Sequence, residues 1–338
     1  MTASFHPALL PSFLAAIAFL VAYVGTRGLV GLLSRRQIFA HPNDRSSHES
    51  PVPVGGGIAV LAAIIPVWLV ASALTSGDTE PILFATLMAL FLAAISWVDD
   101  LRGLKPLPRL CAQAIAIGAT LTLAPFHGLV FGGLLPPAFD LAATLLIWLW
   151  FINLFNFMDG IDGLAGVETA VIGLGVFVAA KIGKLDVVWL AYGLSVAGAA
   201  IGFLRWNWHP ARIILGDVGS VPLGFLLGWL LLGLAASGHP APALILPAYF
   251  IGDATITLLR RVFRGERILE PHRDHFYQLA VRSGLRHDQI VGIVAVSGFF
   301  MIALTMVAMR GLLWAAVSGA VAATALLLFL LAKGGPTE

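Results

Sequence analysis

Long apolar stretches follow one another along almost the whole chain, and each is about as long as a helix that crosses a lipid bilayer. Of the 338 residues, 59% are hydrophobic and 11% are charged, whereas soluble domains carry about 25% charged residues. This composition excludes a soluble globular domain and a disordered chain. We therefore expect an all-α polytopic integral membrane protein with about 11 transmembrane helices, although ten would also fit. The apolar segments are 8–33, 55–75, 81–98, 110–125, 139–157, 164–181, 187–204, 219–236, 241–259, 290–309 and 311–332.

The basic residues are distributed unevenly between the two sides of the predicted membrane. Sixteen of the 20 Lys and Arg residues lie in one set of alternate loops, three lie in the opposite set, and Arg27 lies within the first segment. The positive-inside rule places the basic set in the cytoplasm, with the N-terminus outside and the C-terminus inside. A single cysteine, Cys111, excludes a disulfide framework. The predicted cytoplasmic loops cover about 34–54, 99–109, 156–163, 205–218 and 260–289.

Two adjacent carboxylates, Asp99 and Asp100, end the third apolar segment. Crowding two acids at a membrane boundary is costly, which suggests a cation or a proton role. Lys105 and Arg109 follow within reach of an anion. The alternative interpretation is an ordinary solvated cluster of charges at a helix end.

The segment NLFNFMDGIDGLAG, residues 153–166, has a polar residue at every third position. Residues three apart on a helix are displaced by 60°, so an unbroken helix could not direct all four to one point. Gly160 and Gly163 permit a break that redirects them. The segment contains no basic residue to pair with its acids, so we expect a cation or ligand from outside it. The four polar residues are Asn153, Asn156, Asp159 and Asp162.

Two further loops contain glycine next to the start of a predicted helix. In HPNDRSSHESPVPVGGG, residues 41–57, the three glycines could admit an anion to backbone N–H groups, or they could serve close helix packing. In RWNWHPARIILGDVGSVPLG, residues 205–224, Asp217 lies in a GDVGS turn. We interpret Trp206, Trp208 and His209 as an interfacial aromatic group.

The 260–289 loop contains seven basic residues and the run PHRDHFYQ. Phosphate binding by Arg and His is favoured over zinc, which would need further ligands and has no cysteine nearby. The alternative is a basic loop lying on the membrane surface. Asp253 lies within the segment 241–259, where it either has a functional role or hydrogen-bonds to neighbouring helices.

Together and in this order, PNDRSSHESPVPVGGG, the Asp99–Asp100 pair, NxxNxxDGxDGLAG, GDVGS and HRDH resemble the polyprenyl-phosphate N-acetylhexosamine-1-phosphate transferase family, of the glycosyltransferase family 4 type. The resemblance covers roughly residues 41 to 289. It implies a single membrane enzyme domain over residues 1–338, in the bacterial inner (cytoplasmic) membrane, with its active site in a cytoplasmic-face cleft. Such an enzyme transfers a sugar-1-phosphate from a UDP-sugar to undecaprenyl phosphate, releases UMP and uses Mg²⁺, for which Mn²⁺ can substitute.

The resemblance also assigns roles to individual residues. It implies catalytic roles for Asp99, Asp100 and Asp217, and metal binding by Asp217 with Asn156. The substrate-binding residues that it implies are Asp159, Asp162, His48, Lys105, Arg109, His272, Arg273 and His275.

The family's branches differ in the histidine-containing loop. The peptidoglycan enzyme, the phospho-N-acetylmuramoyl-pentapeptide transferase, has three consecutive histidines there, whereas this chain has His272-Arg273-Asp274-His275. This departure, and eleven segments rather than ten, favour the branch that initiates O-antigen synthesis. The expected partners are a UDP-N-acetylhexosamine-type sugar nucleotide, undecaprenyl phosphate and membrane lipid, with no nucleic acid, and a homodimer would be compatible.

A proton-coupled secondary transporter is the competing class of protein. It should place its acids near the middle of the membrane and show repeat symmetry. Here all the singled-out acids except Asp253 cluster at one face, and no internal repeat is visible. The distribution therefore favours the enzyme.

Overall fold

The computed structural model describes residues 9–40, 51–75, 79–267 and 272–334, and nearly all of its regular structure is helical. The predicted all-α class is therefore confirmed. One short antiparallel pair, β1 (Phe39–Ala40) and β2 (Val52–Pro53), precedes the second helix. The helices are α1 (Leu10–Arg35), α2 (Gly57–Thr75), α3 (Glu80–Arg102), α4 (Pro106–Leu123), α5 (Pro137–Phe157), α6 (Leu164–Ile182), α7 (Val187–Asn207), α8 (Asp217–Ala236), α9 (Pro240–Ile245), α10 (Ala248–Phe263), α11 (Phe276–Arg282), α12 (His287–Met309) and α13 (Leu313–Lys333).

Within the described ranges, nine helices are long and apolar enough to cross a membrane: α1, α2, α3, α5, α6, α7, α8, α12 and α13. This confirms a polytopic membrane protein, while the count of eleven spans stays a prediction. The predicted segment 110–125 lies mostly in α4, which also carries Arg109 and Gln113. The predicted segment 241–259 is divided between the six residues of α9 and the 16 residues of α10. The division falls at Pro247, whose ring removes a backbone N–H.

Helix α8 is the centre of the bundle. Every residue from Val218 to Ala235 is buried, and α8 packs against α2, α3, α5, α6 and α9. A helix that is apolar on all sides fits either the core of a protein or a lipid bilayer, and α8 lies in the core. The enclosure places the first turn of α8, which begins at Asp217, among the ends of its neighbours.

Helices α2 and α8 cross at a pair of glycines. A Cβ added at Gly57 would lie 2.0 Å from Gly219 Cα, so the two backbones are in contact. The N–H groups of Gly55, Gly56 and Gly57 donate to the carbonyls at positions 214 and 215, at 2.9 to 3.2 Å. These N–H groups are therefore occupied, and of the two interpretations of this glycine run the structure supports close helix packing.

Candidate active site

The described parts of the five polar loops meet at one end of the bundle. Hydrogen bonds join 34–54 to 205–218, and join 156–163 to both 99–109 and 260–289. This convergence brings most of the singled-out polar side chains together. The bonds run from Ile214 N to Pro53 O at 2.8 Å, from Arg109 Nη2 to Asn156 Oδ1 at 3.3 Å, and from Tyr277 Oη to Phe157 O at 2.9 Å.

Asp100 caps the first turn of α8. Its two carboxylate oxygens accept from Asp217 N at 3.0 Å and from Val218 N at 2.9 Å. These N–H groups belong to the first turn of α8 and have no partner within their own helix, and a negative charge is favourable at this end of a helix. Gly216 precedes the turn with φ +78°, a backbone conformation that side-chain-bearing residues rarely adopt. Asp100 therefore fixes the position of Asp217.

Asp99 and Arg109 form the second part of the site. Asp99 is buried, and its carboxylate accepts from Leu104 N at 2.6 Å and pairs with Arg109 Nη1 at 2.9 Å. The other guanidinium nitrogen, Nη2, lies 3.4 Å from Asp217 Oδ2. Arg109 thus bridges an acid at the end of α3 and the acid that begins α8.

Asn156, in the last turn of α5, contacts Asp217 directly. Its Nδ2 donates to Asp217 Oδ1 and to Ser220 Oγ, both at 2.8 Å. Asn153 points elsewhere, since its Nδ2 donates to Gln113 Oε1 at 2.7 Å. The predicted metal ligands Asp217 and Asn156 therefore lie side by side, and Asn153 does not join them.

The carboxyl group of Asp159 lies close enough to the same site to interact with its acids. Burial raises the pKa of the Asp159 carboxyl well above its usual range, and the charges of Asp217 and Asp100 raise it further. A surplus of carboxylates held close together is stabilised by a cation, and carboxylate and amide oxygens are the ligands that Mg²⁺ prefers. The residues present therefore fit a divalent cation at Asp217 and Asn156.

Asp162 belongs to a separate cluster with two histidines. Its Oδ2 lies 2.7 Å from His209 Nδ1 and 3.3 Å from His287 Nδ1, and it accepts from Ala211 N at 3.1 Å. One donor atom from each of Asp162, His209 and His287 lies within 4.8 Å of the others, a grouping that could also hold a metal ion. The sequence interpretation missed both histidines, because His209 was assigned to the aromatic group and His287 lies 125 positions after Asp162.

Acidic residues in the histidine loop, 264–275, form ion pairs with Arg261 of α10. Arg261 pairs with Asp274 and with Glu266, the latter at 2.8 Å, which gives Asp274 a structural role that the sequence left open. Burial, together with the nearby His275 and Arg261, lowers the pKa of His272 to about 4. His272 is therefore neutral at neutral pH.

The remaining predicted site residues have no described contact with the cluster around Asp217. Arg273 is half-buried between His272 and Asp274. Lys105 is exposed at the N-cap of α4, where it makes no hydrogen bond or ion pair with a described residue. His48 lies outside the described residues.

The fold and this site define a class: polytopic membrane proteins with an acidic cluster at the end of a buried helix. Residues 82–235 match the model of glycosyl transferase family 4. The chain is 29% identical to a probable undecaprenyl-phosphate N-acetylglucosaminyl 1-phosphate transferase of Bacillus subtilis, over 88% of this chain and 86% of that protein.

Two further relatives extend the comparison. The chain is 30% identical to a phospho-N-acetylmuramoyl-pentapeptide-transferase of Synechococcus sp., over 74% of this chain and 73% of that protein. It is 27% identical to a decaprenyl-phosphate N-acetylglucosaminephosphotransferase of Mycobacterium tuberculosis, over 82% and 77%. The chain therefore belongs to glycosyl transferase family 4, the family of polyprenyl-phosphate hexosamine-1-phosphate transferases.

Proposed function

We propose that this chain transfers a sugar-1-phosphate from a UDP-N-acetylhexosamine-type nucleotide to undecaprenyl phosphate, releasing UMP. The product, undecaprenyl-diphosphate-sugar, would begin a cell-envelope polysaccharide such as O-antigen. The observation that carries the proposal is the contact of Asp217 with both Asn156 and Arg109 at the first turn of α8, in a chain of this family.

Both substrates are anionic, so charge repulsion is the main obstacle to their approach. Mg²⁺ held by Asp217 and Asn156 would supply positive charge at the phosphates. Arg109 is half-buried beside that position and would add its own positive charge there. Asp99 holds Arg109 in place.

The proposed reaction needs little help from a general base. The second pKa of a phosphate monoester is about 6, so the lipid phosphate is largely dianionic at neutral pH. Asp99 is already engaged by Arg109 Nη1 and Leu104 N. We therefore assign Asp99 to positioning rather than to proton removal.

Release of UMP tests the proposed function directly. The full chain in liposomes with undecaprenyl phosphate and Mg²⁺ should release UMP from one member of a panel of UDP-sugars. The panel includes UDP-N-acetylmuramoyl-pentapeptide, because the Synechococcus relative bears the name of a pentapeptide transferase. Turnover of that substrate alone would assign the chain to peptidoglycan synthesis, and no UMP from any nucleotide would refute the proposed function.

The proposed orientation in the bacterial inner membrane predicts a sidedness of this reaction. The loops that carry the site contain most of the basic residues, so we assign them to the cytoplasm. A UDP-sugar does not cross a sealed bilayer. Inverted membrane vesicles should therefore release UMP, whereas right-side-out vesicles should do so only after permeabilisation. Equal rates in the two sealed preparations would contradict the orientation.

Two asparagines three residues apart provide a matched pair of variants. Asn156→Ala removes an amide that contacts Asp217, whereas Asn153→Ala removes one that contacts Gln113. We expect Asn156→Ala to raise the Mg²⁺ concentration for half-maximal activity and to lower kcat about 10- to 100-fold. Asn153→Ala should leave the Mg²⁺ dependence unchanged. Equal shifts in Mg²⁺ dependence in the two variants would contradict the assignment of Asn156.

A further inference from the structure

A buried carboxylate outside the α8 cluster, that of Asp253 in α10, lies at the base of the histidine loop. Asp253 is 0% exposed. Its Oδ1 lies 3.0 Å from His275 Nδ1 and accepts from Phe276 N at 3.1 Å, and its Oδ2 accepts from Tyr277 N at 3.3 Å. Burial of a charge is costly unless hydrogen bonds compensate it. The donors around Asp253 are thus arranged for an ionised carboxylate.

The same carboxylate holds the start of α11. Phe276 and Tyr277 are the first two residues of this helix, and their N–H groups have no partner within it. His275 precedes them, and its own N–H donates to Gln278 Oε1 at 3.2 Å. Asp253 therefore determines where α11 begins and how the residue before it is oriented.

The contact with Asp253 also selects one nitrogen of the His275 ring. An ionised carboxylate only accepts hydrogen bonds, so Nδ1 of His275 must carry a proton to bond to it. Nε2 then carries no hydrogen, so it can accept a hydrogen bond from a ligand but cannot donate one to a phosphate oxygen. Carboxylates that fix the tautomer and orientation of a functional histidine in this way are common behind binding sites.

Helix α11 in turn contacts the loop that carries Asp159. Tyr277 Oη donates to Phe157 O at 2.9 Å, at the end of α5. A Cβ added at Gly160 would lie 2.0 Å from Tyr277 Oη, so the two elements are closely packed. The His275 ring lies 6.3 Å from the Phe157 ring, between centroids. Asp253 thus connects the histidine loop with the segment 157–160.

We propose that Asp253 is a positioning residue, which holds His275 with Nε2 as an acceptor for a hydroxyl or N–H group of the sugar nucleotide and seats α11 against the Asp159 loop. The identity of the ligand rests on the proposed function. The pairing of Asp253 with His275 rests on geometry alone. This assignment gives a role to an acid that lies in an otherwise apolar segment.

A double-mutant cycle tests the proposal. In Asp253→Asn, either orientation of the amide points its NH₂ group at a backbone N–H, of Phe276 or of Tyr277. We expect kcat/KM for the UDP-sugar to fall about 10- to 100-fold, with little change in the lipid KM. Because Asp253 acts through His275, adding His275→Ala should cause little further loss. The proposal would be overturned if the double variant lost the product of the two single losses. It would also be overturned if Asp253→Asn alone lost less than about 2-fold.

A pair of tyrosine variants keeps the test valid if Asp253→Asn does not fold. Tyr277→Phe deletes only the hydroxyl that bonds to Phe157 O, and it should lower kcat/KM for the UDP-sugar about 2- to 10-fold. Tyr23→Phe is the control, since Tyr23 lies in α1, where its ring packs against those of Phe19 and Trp206. Equal effects of the two variants would contradict the proposed role of α11.

An observation that does not depend on activity separates this inference from the proposed function. In a nitrogen NMR spectrum of the full chain labelled with ¹⁵N-histidine, the His275 signals are those lost in His275→Ala. They should show a protonated Nδ1, and Asp253→Asn should change them. A bare Nδ1 would overturn the positioning role. A protonated Nδ1 in a chain that releases no UMP would refute the proposed function and leave the pairing intact.

Discussion

Asp217→Asn should lower kcat for sugar-1-phosphate transfer by about 10²- to 10³-fold at saturating Mg²⁺, the loss typical of removing one preorganised electrostatic contact. The substitution keeps the size of the side chain but removes the charge that faces Arg109 and the proposed metal. The fold should survive, because the N–H of residue 217 still donates to Asp100. Release of UMP measures the effect.

The matched control for this variant is Asp140→Asn. Asp140 is also buried, but it lies in the first turn of α5, at the opposite end from Asn156, where it accepts from Val130 N and Phe131 N. We expect Asp140→Asn to retain most of the transfer activity. Near-normal turnover in Asp217→Asn, or an equal loss in the control, would remove Asp217 as the metal ligand.

Gly57→Ala should strongly destabilise the fold. The new methyl group would lie 2.0 Å from Gly219 Cα, and neither backbone can move away without displacing α2 or α8. Overpacking of this kind costs about 1–3 kcal/mol or more. The midpoint of thermal unfolding in detergent, followed by size-exclusion chromatography, should fall markedly, and transfer should fall with it.

Gly28→Ala provides the comparison for this second prediction. Gly28 lies in the middle of a helix, like many membrane glycines, but a Cβ there would meet nothing within 4 Å. Alanine is favoured over glycine within a helix by up to about 1 kcal/mol, so this variant should be as stable as the parent chain or slightly more stable. Similar unfolding midpoints for the two variants would show that the α2–α8 crossing is not the tight contact described.

The fold class could be predicted from the sequence because it depends on a local property. A run of about 20 apolar residues in lipid must satisfy its backbone within the same segment, which only a helix does. The same reasoning could not predict the division of α9 from α10. The division falls at Pro247, and a hydropathy window of about 19 residues averages across it.

The candidate site could be predicted where charged side chains lie at a membrane boundary, because placing a charge there costs free energy. Asp99 and Asp100 stood out for this reason, whereas the roles of Asp217 and Asn156 came from the family resemblance. The histidines that contact Asp162 could not be identified in this way. His209 resembles the tryptophans beside it, and His287 begins a helix far along the chain, so their shared carboxylate becomes visible only in three dimensions.

The complete burial of α8 has a consequence for how a long-tailed lipid reaches Asp217. A polyprenyl tail stays in the hydrocarbon, and α8 offers it no side along which to lie. The tail must instead run beside helices that expose apolar residues near the same end, as α3 does at Leu101 and α4 at Leu107, which are 51% and 70% exposed. The headgroup would thus meet the end of the buried helix α8, while the tail lies against the exposed faces of α3 and α4. We therefore expect discrimination among lipids to depend on the isoprene units next to the phosphate more than on the total length of the tail.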